Sequence, residues 1–484
     1  MVRLILPAQI HLTYSPYYKK MISTLISHAS LLIQSRDTTL LTDPVFFDYL
    51  WEECNVQCPS IDLALEKLPK VDILNISHRH QDHFDIRTLA YIAGSTDILA
   101  PDAVVLAPRD EILLEVLSEL EFKNVTVMED FKTLEIKGLT LTPTPSLNKQ
   151  DYFPEHGLLV HDGEVTLWNQ VDTIVSPDII KYMHRLYGQL DFAHVRYLPL
   201  LEGNFSFHNP LSLPMEEYSS FLKVATATRP KFAVPGSAGF KYRDEFGFLN
   251  QYSFPTTQEQ FLRDLKDFCP DINSNVFYPG DRASISREGV EIQKAAADFV
   301  KIKVDDGHEV EFKPVAQVPP IRTQTLDKAE HEKEWEKVVD FVENRFVDIL
   351  VEKKGVQSWV DWKVAYQLEV FGQEGSEIWC LDFAGEDASI IKGRICKINL
   401  YEGIACSELY RLIQNDTSWD YVGINGQYRT FKDIYRVRNG EFEHWTKTDN
   451  KFPQPLTEVF PAGQDMDRAK FMRDVKRWKG NPKV

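Results

Sequence analysis

Short apolar runs alternate with amphipathic stretches over residues 21–286, and this alternation predicts strands interleaved with helices. Residues 71–76, Val-Asp-Ile-Leu-Asn-Ile, are apolar and rich in β-branched side chains, as a buried strand requires. A helical spacing opens at residue 84. Residues 97–101, 124–128, 133–136 and 139–142 read as further strands, the last ended by Pro143 and Pro145. Residues 110–121 read as an amphipathic helix, and 177–186 as another with proline at its start. The runs at 158–160 and 165–168 flank Asp162-Gly163, a hairpin signal.

The pattern changes after residue 286. Composition shifts between residues 286 and 327, where Pro314, Pro319 and Pro320 mark a linker or domain boundary. Residues 329–353 then read as one long helix, whose stripe of Trp335, Val338, Phe341, Val342, Phe346 and Leu350 predicts a core-facing side. Strands follow at 365–370, 378–383 and 390–399, then a helix at 407–414. A chain of 484 residues exceeds one ordinary core. The reading is therefore α/β, with one domain over residues 1–300 and a smaller α+β domain over 301–484.

Composition narrows the class. Hydrophobic residues make up 43% of the chain, enough for packed cores. The formal net charge of −18, from 54 basic and 72 acidic residues, argues against nucleic-acid and membrane partners. Cys54, Cys58, Cys269, Cys380, Cys396 and Cys406 are sparse, and the one C-x₃-C lacks a second pair, so reduced cysteines are expected. Residues 1–7 are too short and interrupted for a signal peptide, and no apolar run reaches membrane-spanning length. A cytoplasmic protein is expected.

The chemistry concentrates in Ser77-His78-Arg79-His80-Gln81-Asp82-His83. Three imidazoles and a carboxylate within six residues form a metal-ligand cluster, and the carboxylate favours a site for two ions. The cluster lies between a strand and a helix, on the kind of loop where α/β folds place their sites.

This motif resembles that of the metallo-β-lactamase superfamily, which implies an αββα sandwich. The resemblance implies that His78 and His80 hold one metal and that Asp82 and His83 hold a second, with Asp82 orienting a reactive water. His28-Ala29-Ser30-Leu31-Leu32-Ile33 and Leu40-Leu41-Thr42-Asp43-Pro44 resemble its opening strands. Asp43 is then expected to orient a ligand histidine. His28 is expected as a supporting group, a substrate contact or a hydrogen-bonded structural histidine. A bridging carboxylate is implied near Leu167-Trp168-Asn169-Gln170-Val171-Asp172, which points to Asp172, although Val171 stands where hydrolases of the superfamily carry glycine. For the third ligand of the first metal, the histidine expected near Thr144-Pro145 is missing. His156 is the first choice and Glu155 the second. The late strand ends in Gly236-Ser237-Ala238-Gly239, without the usual histidine. His208 is a distant substitute or a plain loop residue.

These departures, with Ser418-Trp419-Asp420-Tyr421 and Tyr435-Arg436-Val437-Arg438, resemble the metallo-β-lactamase-like part of the CMP-N-acetylneuraminate hydroxylases. Those carry a Rieske iron–sulfur module needing paired Cys-x-His ligands, and no such pair occurs here. Three readings stay open. The first is a non-haem oxygenase with one or two metal ions, iron ahead of zinc or manganese, acting on a small-molecule substrate with a separate reductase. The second is a metallohydrolase of an ester, amide or phosphoester. The third is a non-catalytic scaffold. The carboxy-terminal domain is expected to cover the pocket or to form a homodimer.

Overall fold

A computed structural model describes residues 20–148, 153–315, 317–383, 390–395, 397–445 and 452–480. Cys396 and the amino-end segment 1–7 lie outside them. Two sheets dominate the first part. The first has the strand order Gly289–Gln293, Arg282–Ser286, Met21–Ser27, Ser30–Ser35, Thr38–Thr42, Val71–Asn75, Leu99–Ala107, Val125–Val127. The second has the order Asn273–Ser274, Phe232–Gly236, Phe192–Arg196, Thr166–Asn169, His156–His161, Leu139–Pro145, Leu134–Ile136. Leu25, Leu31, Leu40 and Ile73 of the first sheet meet Leu141, Leu158, Leu167 and Phe192 of the second in one buried cluster. That cluster is the centre of a sandwich. The helices Ile86–Gly94 and Glu111–Glu119 cover the outer face of the first sheet. Pro177–Tyr187, Met215–Thr228 and Gln258–Phe268 cover the outer face of the second. The four-layer αββα arrangement follows from strands apolar on both faces and helices apolar on one.

Most expected elements occur. The hairpin at Asp162-Gly163 pairs Val160 with Leu167 and His161 with Thr166. Three expectations are corrected. The long helix breaks into Lys328–Asn344 and Phe346–Val351, because Arg345 leaves helical geometry at φ −131°. Its apolar stripe continues across the break, so periodicity alone does not reveal it. The stretch read as a linker from residue 286 holds two strands. Gly289–Gln293 extends the first sheet, and Val300–Val304 pairs with Ser60–Leu63. Their alternating polar residues face solvent at a sheet edge. The strand read over 390–399 is described only as Ile390–Lys392, paired with Ser376–Asp382.

The carboxy-terminal part has its own five-stranded sheet, built on Ala365–Phe371, which pairs antiparallel with Ser376–Asp382 and parallel with Leu400–Ala405. Its last helix, Gln464–Trp478, returns to the amino-terminal part and packs on the helices Ile86–Gly94 and Glu111–Glu119, with Phe471 edge-on to Phe84. Arg79, inside the histidine motif, ties these pieces together. Its guanidinium donates to Asp110 at 2.8 Å and to Asp467 at 3.0 Å, and all three side chains are at least 95% buried. Asp110 also caps the helix Glu111–Glu119.

Arg79→Ala is expected to destabilise the chain by about 3–5 kcal/mol, because two buried carboxylates lose their cation. Chemical denaturation followed by tryptophan fluorescence measures this. A loss below about 1 kcal/mol would show that the clamp is not structural.

Candidate metal centre

The motif loop leaves the strand Val71–Asn75 and enters the helix Ile86–Gly94, whose first turn Asp85 caps by accepting from Thr88 N. Asp43, at the end of the adjacent strand, organises this loop. Its Oδ1 accepts from Ser77 N at 2.7 Å, and its Oδ2 accepts from Ser77 Oγ at 2.7 Å and pairs with His83 Nδ1 at 3.0 Å. Ser77 Oγ lies 2.9 Å from His78 Nδ1. Both imidazoles are therefore held by their Nδ1 side, which leaves each Nε2 turned inward.

The inward atoms converge. His78 Nε2 lies 2.9 Å from His80 Nδ1 and 3.9 Å from Asp172 Oδ2. His83 Nε2 lies 3.2 Å from Asp172 Oδ2 and 3.7 Å from Asp82 Oδ2. His28 Nε2 lies 2.9 Å from Asp82 Oδ2 and 3.3 Å from His83 Nε2. Two groups of potential ligands result, His78 with His83 and Asp172, and His28 with Asp82 and His83. Donors about 2.1 Å from one ion stand roughly 3.0–3.4 Å apart, close to most of these separations. The buried Asp82 Oδ1 has no hydrogen-bond partner. The donor set fits metal ions on these counts. A third group, His331 with Glu334 and Cys406, lies in the carboxy-terminal part.

The charged groups of this cluster act strongly on one another. Burial lowers the basicity of His78, and the neighbouring His83 and His80 lower it further. Burial would also lower His83, but Asp82 and Asp172 outweigh it and raise His83 well above the usual imidazole range. Burial opposes ionisation of Asp82 and of Asp172, yet His83 keeps both below the usual carboxylate range.

The other expected residues fall as follows. His156 is buried and its Nε2 lies 3.1 Å from Asn75 Oδ1; burial lowers its pKa to about 4. Glu155 accepts from Ser146 Oγ. Neither belongs to the two converging groups. His208 lies against Phe431, beside the carboxy-terminal sheet. Sequence reasoning missed Glu202, whose pKa rises to about 8 through burial and the charges of Asp82 and Asp172. It also missed Phe153, stacked 6.2 Å from His78, and Trp51, 5.8 Å from His80. No motif marks these three residues.

Backbone strain gathers here as well. His28, Asp43, Val171 and Ser237 all have φ between +39° and +60°. Val171 is β-branched, and such residues seldom enter this region. The position where the resemblance expects glycine is thus a left-handed one in this chain.

A cation that takes His83 Nε2 must first displace the imidazolium proton, so metal affinity is expected to rise with pH, by up to tenfold per unit for one proton. Calorimetric titration of the metal-free chain with zinc, in buffers of different ionisation heat, measures the proton released. An affinity that stays flat between about pH 6 and 8, with no proton released on binding, would show that His83 is not displaced.

Part of the chain is similar to known proteins. Residues 24–168 match the model of a beta-lactamase superfamily domain. A Mycolicibacterium smegmatis protein described as a Rieske 2Fe-2S iron–sulfur protein is 29% identical over 185 residues, 36% of this chain and 33% of that protein. The 4-amino-L-phenylalanyl peptidyl-carrier-protein 3-hydroxylase of Streptomyces venezuelae is 26% identical over 178 residues, 35% of this chain and 32% of that one. The mitochondrial N-acyl-phosphatidylethanolamine-hydrolyzing phospholipase D of Saccharomyces cerevisiae is 25% identical over 167 residues, 31% and 34% of the two chains. The chain thus spans about a third of the length of the curated relatives it matches. The matched stretch 24–168, similar in sequence to a beta-lactamase superfamily domain, carries the histidine motif and most of the first sheet.

Proposed function

We propose that this chain is a metal-dependent oxygenase that holds two ions, iron ahead of zinc or manganese, and hydroxylates a small molecule. The observation that carries the reading is the position of Asp172 Oδ2, close to both His78 Nε2 and His83 Nε2, as a bridging carboxylate between two ions would be. Mixed imidazole and carboxylate donors suit iron. The similarity to a hydroxylase and to a protein described as an iron–sulfur protein supports the same reading.

In this reading His78, His80 and Asp172 would hold one ion, and Asp82, His83 and Asp172 the other. Iron bound there would supply the oxidising chemistry. Hydroxylation of a C–H bond by O₂ needs two electrons and two protons and yields water, so a separate electron donor is part of the proposal. The chain's own groups prepare the site. Asp43 keeps the His83 Nε2 lone pair turned inward. Glu202, with its pKa near 8, stays largely protonated at neutral pH and offers a proton beside the two aspartates. Phe153 and Trp51 cover the imidazoles of His78 and His80 and limit water. A cavity of about 550 Å³ borders His28 and is lined by Tyr197, Phe240 and Phe254, a size suited to a small substrate.

A metallohydrolase is the second reading, favoured by the similarity to a phospholipase. There Asp82 would orient a water of lowered pKa.

Metal analysis and oxygen consumption separate the two. The oxygenase reading expects about two irons per chain after anaerobic reconstitution and oxygen uptake once a chemical reductant is added. Zinc alone, with ester hydrolysis and no oxygen uptake, would replace it with the hydrolase.

His80→Ala is expected to remove most bound metal and all turnover. Asp172→Ala is expected to lower the total and to weaken the ion at Asp82 and His83 more. Unchanged metal content in both variants would remove these residues from the centre.

A further inference from the structure

We propose that His28 is itself a metal ligand, the fourth donor of the ion held by Asp82, His83 and Asp172. This rests on the reading of the cluster as a two-metal centre. His28 Nε2 lies 2.9 Å from Asp82 Oδ2 and 3.3 Å from His83 Nε2, and the ring is buried. His83 Nε2 is also 3.2 Å from Asp172 Oδ2, so the four donors come from three segments of the chain and meet at His83. Asp43 engages the Nδ1 of His83, so a deprotonated His83 turns its Nε2 lone pair toward His28 Nε2, 3.3 Å away, where one cation could take both.

The surroundings are shaped for this ring. His28 takes φ +39°, a left-handed conformation that histidine seldom adopts, in the turn between the strands Met21–Ser27 and Ser30–Ser35. The loop after the strand Phe232–Gly236 packs against that turn. A Cβ on Gly239 would stand 2.8 Å from the N and Cα of His28, so only glycine lets the loop approach. The same loop, Gly236-Ser237-Ala238-Gly239, offers no imidazole or carboxylate of its own.

Behind His28 stands His194. A Cβ on Gly236 would fall 1.9 Å from His194 Nε2, so this ring fills the place of a side chain at Gly236. Asn169 Nδ2 donates to Thr42 Oγ1 at 3.4 Å, which turns Asn169 Oδ1 toward His194 Nδ1 at 3.0 Å. His194 then carries its proton on Nδ1 and presents a lone pair at Nε2. That Nε2 and His28 Nδ1 are both buried without a hydrogen-bond partner. Ligation through Nε2 places the His28 proton on Nδ1. His28 Nδ1 then has a proton to donate and the nearby His194 Nε2 a lone pair to accept, although no hydrogen bond joins them in this structure.

The test is stoichiometric and needs no substrate. Metal-free wild-type chain and His28→Asn are titrated with cobalt(II), read by visible absorption and by metal analysis after gel filtration. Asparagine tolerates the left-handed backbone, and circular dichroism with a melting curve confirms folding. Wild type should take up two equivalents and His28→Asn one, with the remaining affinity within about threefold. A second variant, His28→Gly, should bind one equivalent and recover the second when free imidazole is added. This rescue separates a ligand from a structural side chain. Two equivalents in both variants would overturn the assignment of His28 and leave the two-metal reading standing. Uptake of fewer than two equivalents by wild type would overturn that reading, and the assignment with it. A second equivalent absent from His28→Gly and not restored by imidazole would overturn the assignment.

Discussion

Asp43 is the constraint on which the centre depends. One buried carboxylate receives the amide and hydroxyl of Ser77 and engages Nδ1 of His83, and Ser77 in turn engages Nδ1 of His78. Two inward-facing imidazoles are thus set by a residue that offers no atom to a metal itself. The carboxylate is costly to bury alone, and its partners repay that cost only in this one arrangement. Its left-handed backbone, φ +40°, adds strain that the surrounding hydrogen bonds hold in place.

The same loop is gripped from its other side. Arg79, between His78 and His80 in the motif, sends its guanidinium to Asp110 and Asp467. The last helix of the chain is thereby joined to the loop at the centre. Its apolar face supplies Phe471 and Val475 to the core beneath the first sheet. The carboxy-terminal part is therefore more than an appended unit, because its final helix completes the helical layer of the amino-terminal sandwich.

The cluster holds like charges close together. His83 holds Asp82 and Asp172 below the usual carboxylate range, and burial, with the charges of both aspartates, pushes Glu202 up to about 8. A divalent cation would take over the role of the His83 proton. This coupling makes proton release part of metal uptake, and it sets Glu202 apart as the carboxyl beside the centre that remains neutral near pH 7.

The sequence by itself determined what depends on neighbouring residues. The period-two and period-3.6 patterns marked most strands and helices, and the hairpin at Asp162-Gly163 was legible because its turn chemistry is local. The group from His78 to His83 stood out because its donors lie within six residues. Asp172 came from family resemblance, not spacing. Only the tertiary structure decided the rest. The break at Arg345 leaves the apolar stripe unchanged, so no periodicity records it. His28, His194 and Glu202 each stand on a different segment, and nothing local distinguishes them from core or loop residues. They acquire meaning through burial and through the charges brought against them, and both are set by packing between segments far apart in the chain.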